Sequence, residues 1–265
     1  MKNLQQYEKL FSRDFSLPSV EAWVRGESTN AKGWTTQKQP FLPYIITERL
    51  DDTVRFYYNL QGVAWIQNLL LEFARKDKNF LSKIEKTVLE KLQFIRPIYE
   101  KEKVLDLGNL KRFLKELEDG YPWFEAMWWF CQMDKENLGG LKLNKIQKVR
   151  ALTDTLCNAS DTVIRKSLSE IYPNLGYFSS LLTTQEIYSG KIPTKKELTK
   201  RDKSYFFGNN QLFVDKSKSS IEKALGVTFK INTFDDNAIL IGSIAQKGKA
   251  RGFVKKSWDT NKLTN

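Results

Sequence analysis

Between residues 62 and 190 apolar side chains return every three or four positions, and this one periodicity limits the chain to a fold whose bulk is helical. Val63, Ile66, Leu69, Leu70 and Phe73 mark one stripe; Leu81, Ile84, Val88, Leu92 and Ile95 mark a second. Arg96-Pro97 bends or ends that second helix, because proline lacks a backbone donor and disfavours the helical conformation in the residue before it. A third stripe runs from about Leu107 to Leu117, with Gly120 and Pro122 read as its break. Beyond it Trp123, Phe124, Met127, Trp128, Phe130 and Cys131 cover most of a helical circumference, which places their helix in the core. An aromatic platform for bases or sugars is the other reading of so many rings. Ile146, Val149 and Leu152 imply a further helix, and Val163, Ile164, Leu168 and Ile171 another.

Strand signals flank this helical block. Residues 43–58, "PYIITERLDDTVRFYY", set two β-branched and aromatic runs around Asp51-Asp52, a hairpin with a somewhat long turn. Thr183 precedes Glu186 by three residues, and Thr194 precedes Glu197 by three, so a capping box opens a short helix at each place. Tyr205–Phe207 and Leu212–Val214 bracket Gly208-Asn209-Asn210, residues that tolerate positive φ, and form a second hairpin. "KSSIEKALG" is one short helix closed by Gly226, and "VTFKI" and "AILIGSI" follow as strands. The expected class is α+β and predominantly helical: a mainly helical domain over 1–232 with one or two small hairpins, then a C-terminal β segment over 233–265.

Composition narrows the chemistry. A chain of 265 residues with 41% apolar and 13% aromatic side chains buries a sizeable core without disulfides. There is no histidine, so a Ser-His-Asp triad, a Cys-His pair, a His-ligated metal and a phosphohistidine are all excluded within these residues. Cys131 and Cys157 are the two cysteines and lack the spacing of a zinc site; they read as small buried hydrophobes, and neither a metal site nor a catalytic residue is expected in the chain. The N-terminus lacks a signal-peptide core and no stretch approaches eighteen apolar residues, which implies a cytoplasmic protein with no membrane partner. The net charge of +12 is uneven: residues 1–190 hold 27 Lys and Arg against 24 Asp and Glu, residues 191–265 hold 16 against 7. That bias reads either as a solvated face or as an attraction for phosphate, with Lys247, Lys249, Arg251, Lys255 and Lys256 as contacts of a basic nucleic-acid-binding module.

The tail "AILIGSIAQKGKARGFVKK" tests the phosphate idea directly. A Walker loop needs Lys and Ser or Thr after its glycines and then a helix, but Gly248 is followed by Lys249-Ala250 and Gly252 by Phe253-Val254. The pattern is a β-arch or wide hairpin. Gly242, Ala245, Gly248, Gly252 and Val254 match G-x-x-A-x-x-G-x-x-x-G-x-V, and here the chain resembles the opening of the swivelling domain of phosphoenolpyruvate-utilising enzymes, the group of phosphoenolpyruvate synthase, pyruvate phosphate dikinase and rifampicin phosphotransferase. Upstream, "SRDFSLPSVEAW", the hairpin near 43–58, "LTTQEIYSGKIPTKKELTKRDKSYFF" and "IEKALG" resemble the helical segment that precedes that domain.

The resemblance implies a phosphotransferase in which a histidine of a swivelling β/β/α domain carries a phosphoryl group from a nucleotide site to a second substrate. Residues 233–265 would be the truncated start of that domain, and the present chain a non-catalytic helical segment, inactive alone. ATP and Mg²⁺ are implied for the complete enzyme and no cofactor for this chain. The implied partners are the nucleotide-binding and swivelling domains of the same system and a small-molecule phosphoryl acceptor. The family histidine sits in a T/S-x-H-A-A stretch that these residues lack, so the chain is either a fragment or a relic that lost the chemistry; an uncovered apolar edge favours the fragment. Arg13 and Asp14, flanked by Phe11 and Phe15, are the substrate-binding candidates, lining a pocket between helices, with a helix-start or surface ion pair as the other reading.

Overall fold

The computed structural model describes residues 5–28, 33–50, 52–133, 135–139, 141 and 143–230, and in it six strands form one sheet with ten α-helices around it. The class is α+β and mostly helical, as the periodicity implies. The glycine motif Gly242, Ala245, Gly248, Gly252 and Val254, the segment 233–265 and the five tail cations named above lie outside the described residues.

The chain enters as β1 (Gln5–Arg13), a strand the periodicity does not announce, and passes into α1 (Leu17–Ser28). β2 (Ile45–Leu50) and β3 (Thr53–Asn59) form the first hairpin. Leu50 pairs with Thr53 and Asp52 sits at φ 60°, so the turn is tight rather than long. Then come α2 (Leu60–Lys76), capped by the Asn59 side chain, and α3 (Phe80–Tyr99), which carries Pro97 in its last turn. α4 (Leu107–Gln132), α5 (Lys135–Leu138), α6 (Asn144–Ala151) and α7 (Leu156–Ile171) complete the helical block. A 3₁₀ stretch over Pro173–Leu181 leads to α8 (Thr184–Ser189) and α9 (Lys195–Lys203), and each of these two helices opens on the expected capping box. β4 (Ser204–Gly208) and β5 (Gln211–Val214) make the second hairpin around Asn209 and Asn210, both at positive φ. α10 (Lys218–Leu225) ends on left-handed Gly226, and β6 (Val227–Phe229) follows.

The two hairpins do not stand apart. β2 pairs antiparallel with β4, β3 with β1, and β1 parallel with β6, giving the order β5-β4-β2-β3-β1-β6. Alternation along the strands divides the sheet's faces. Ile45, Val54, Phe56, Tyr58, Tyr205 and Phe207 face the helical core, while Tyr7, Ile46, Tyr57 and Phe206 face a smaller cluster closed by Ile221 of α10 and Phe229 of β6.

α4 corrects the sequence reading: it runs unbroken through Gly120 and Pro122. Proline in a helix interior costs about 3 kcal/mol in isolation. Here Phe113, Leu114, Leu117, Phe124, Met127 and Phe130 are all buried along the same helix, so packing outweighs that local penalty. Pro122 has no N–H to offer the carbonyl of Glu118. That carbonyl lies against Gly26 of α1, where a Cβ would come within 2.6 Å of it and 2.5 Å of Tyr121 Cβ. Glycine at 26 is therefore what lets α1 cross α4 closely.

Candidate functional site

The site begins with an irregularity in β1. The β1–β3 register shifts between Lys9 and Phe11, leaving Leu10 as an extra, exposed residue. Tyr7, before this bulge, faces the smaller cluster. Without the bulge Phe11 and Arg13 would share that face, but one inserted residue reverses the alternation and turns both toward the helices. Phe11 then stacks on Phe56 with ring centroids 4.7 Å apart and lies 5.4 Å from Trp23 of α1.

Around them is a cleft of about 220 Å³, open to solvent, between β1, α1, α4 and α7. Trp23, Trp128 and Phe11 supply its aromatic wall; Arg13 and Arg150 supply its cations; Gln132, Thr153, Asp154, Cys157 and Asn158 complete the lining. Both indole N–H groups are directed into the protein: Trp23 Nε1 donates to Tyr58 Oη at 3.2 Å, and Trp128 Nε1 to Thr153 Oγ1 at 3.1 Å. Thr153 Oγ1 in turn donates to the Arg150 carbonyl at 2.8 Å. Arg150 is ion-paired with Asp154. Arg13 is not matched in this way: it donates to its neighbour's carbonyl at Ser12, 3.0 Å away, and its guanidinium lies 5.5 Å from the Phe11 ring centre, with no carboxylate partner among the described residues. Burial pushes the Cys157 thiol up to about 12, so at neutral pH it is a protonated wall of the cleft and not a nucleophile.

The two sequence candidates thus part company. Arg13 lines a pocket, formed by a strand and helices rather than by helices alone. Asp14 does not; it pairs with Arg165 at 2.8 Å, and Arg165 Nε also donates to the buried Asp161 at 2.5 Å. Asp161 accepts the Ser16 N–H and the Ser16 and Ser19 hydroxyls, tying the first turn of α1 to α7. Asp14 therefore belongs to a structural ion network. Arg150 is a site residue that local sequence signals do not point to. Trp128 belongs to the aromatic run read as core: Phe124, Met127 and Phe130 are buried there, while Trp128 lines the cleft.

Behind the cleft the same aromatic cluster holds two carboxyl groups out of water. Glu27 and Glu125 are 2% and 1% exposed. Tyr58 Oη, which accepts from Trp23, donates to Glu27 at 2.8 Å, and Trp129 Nε1 donates to Glu125 at 3.2 Å. Burial, reinforced by the charge on Glu125, holds Glu27 well above the usual carboxylate range, and burial pushes Glu125 up to about 8.

A larger groove, about 680 Å³, runs between α2, α3 and α6, but its walls are aliphatic, with Leu81, Leu141 and Ile146 bordered by the solvent-facing Lys78, Glu85 and Lys145. It converges no polar groups on one point, and the Arg13 cleft is the better-built site. Among the described residues no group of three or more His, Cys, Asp or Glu side chains is placed to hold a metal ion, and no helix is long and apolar enough to cross a membrane. No family model matches the chain, and no curated protein or solved structure matches it.

Proposed function

We propose that this chain is the non-catalytic, substrate-holding segment of a phosphoenolpyruvate-utilising phosphotransferase. The observation that carries the reading is Arg13: it lies in "SRDFSLPSVEAW", one of the stretches that resemble the family's helical segment, and a bulged strand presents its guanidinium at an aromatic-walled cleft. On this reading the cleft holds the phosphoryl acceptor, while transfer is performed by a histidine of the swivelling domain. The chain itself holds no histidine to phosphorylate, and its two partly buried cysteines, Cys131 and Cys157, have thiol pKa values raised by burial. ATP and Mg²⁺ belong to the nucleotide site of the complete system.

Incubation of the chain with radiolabelled ATP or phosphoenolpyruvate leaves it unlabelled, and the reading frame of its gene, followed past the codon for Asn265, continues through a Gly-rich segment into T/S-x-H-A-A. A stable phosphoprotein from this chain alone, or a gene without that histidine segment, defeats the proposal.

A further inference from the structure

We infer that the Arg13 cleft takes a planar aromatic ligand of one or two fused rings bearing a single anionic oxygen group, with the ring against Trp128 and the exposed edge of the otherwise buried Trp23 and the anion on Arg13. The inference names the ligand class for the site in the proposed function, and only its connection to phosphoryl transfer rests on that reading.

Three features set this class. Because the N–H groups of Trp23 and Trp128 are already spent on Tyr58 and Thr153, the wall offers ring carbon and π surface, with no indole donor to receive a polar ligand. Trp23 and Trp128 lie 5.5 Å apart at 37°, and a further ring extends an array already built of tilted and stacked pairs. The second feature is size. About 220 Å³ falls short of the roughly 300–1,000 Å³ of pockets that enclose drug-sized ligands, so what enters is a small flat group.

Charge is the third. Asp154 neutralises Arg150, which leaves Arg13 as the cleft cation without a carboxylate partner among the described residues, and one cation selects one anion. The side-chain amides of Gln132 and Asn158, at the same cleft, meet no protein partner among the described residues and are open to ring substituents. The protonated Cys157 thiol means that the ligand is held here and not attacked.

The test titrates the full chain with 2-naphthoate, with its neutral counterpart 2-naphthamide, and with inorganic phosphate, following the indole ¹H–¹⁵N resonances. The expected result is saturable binding of 2-naphthoate that shifts the Trp23 and Trp128 signals, at an affinity about tenfold or more above either of the other probes, the worth of one charge-assisted hydrogen bond joined to ring stacking. Arg13→Gln reduces 2-naphthoate affinity about tenfold and leaves 2-naphthamide unchanged, and Arg13→Lys recovers part of the loss. Equal binding of naphthoate and naphthamide, naphthoate binding indifferent to Arg13→Gln, tighter binding of phosphate alone, or no saturable naphthoate binding overturns the inference. Arg13-dependent naphthoate binding by a chain whose gene lacks the histidine segment upholds the ligand class and defeats only the phosphotransferase reading.

Discussion

Trp23 separates two regions where polar groups meet the same aromatic cluster under opposite conditions. On its inner side Tyr58, Glu27 and Glu125 are sealed from water, and both carboxyls accept hydrogen bonds from aromatic donors. On its outer side Arg13 stands at the mouth of a cleft, its guanidinium bonded only to the neighbouring carbonyl among the described residues. The inner groups must be satisfied by the protein itself, because a buried ionised group without partners is too costly, so they shift their titration and serve the fold. The outer cation keeps its hydration until a ligand replaces it. Aromatic composition alone would not distinguish the two; access to water does.

The sharpest way to break the comparison is pH. A carboxyl whose folded pKa lies above its unfolded value contributes stability that is fully present below the unfolded pKa and is lost as pH rises through the folded one. For Glu125 that window runs from the ordinary glutamate value of 4.5 to about 8, and Glu27 is shifted in the same direction. The chain therefore loses stability between pH 5 and pH 8, each titrating group contributing roughly 1 kcal/mol per pH unit, and Glu125→Gln flattens the slope. Glu186 and Glu197 have lowered pKa values, set against burial at Glu186 by Arg201 and Thr183 and fixed at Glu197 chiefly by Thr194; they act below pH 4.5 with the opposite sign. Urea midpoints across this range measure the effect, and a flat profile removes the buried acids from the account.

Next in size is the crossing that both regions share. Gly26→Val forces side-chain atoms into Tyr121 and the Glu118 carbonyl, and because α4 carries Glu125 and Trp128, it disturbs both sides at a cost of about 3 kcal/mol, read from the urea midpoint. A midpoint unchanged from the parent would mean that α1 and α4 are not in close contact there. The smallest effect belongs to the outer side alone: Arg13→Gln shifts stability by no more than about 0.5 kcal/mol, since an exposed arginine without a carboxylate partner holds little of the fold. A thermal melt that falls markedly would move Arg13 from the ligand side of the comparison to the structural side.

Much of the fold is legible before the tertiary structure is known. The capping boxes at Thr183 and Thr194, the left-handed Gly226 and the Asn209-Asn210 turn all appear where their residues predict, because each depends on groups within a few positions of one another. β1 is not legible, since its bulge at Leu10 breaks the alternation that marks a strand. The break expected at Gly120 and Pro122 fails because a local penalty competes with burial along the whole of α4. Of the cleft, Arg13 is legible as a charge between phenylalanines, whereas its companions Trp23, Trp128 and Arg150 come from three helices, α1, α4 and α6.

By itself, the amino-acid order determines the helical mass, the hairpins and the caps, and it removes imidazole chemistry from these residues. Only the folded chain decides that two hairpins share one sheet, that one inserted residue turns Arg13 to the cleft that Trp23 and Trp128 also line, and that Glu27 and Glu125 are both buried in the core. The physical reason is range: caps and turns are settled by neighbouring backbone groups, whereas a site assembled from residues far apart in sequence exists only once packing has chosen which distant surfaces touch.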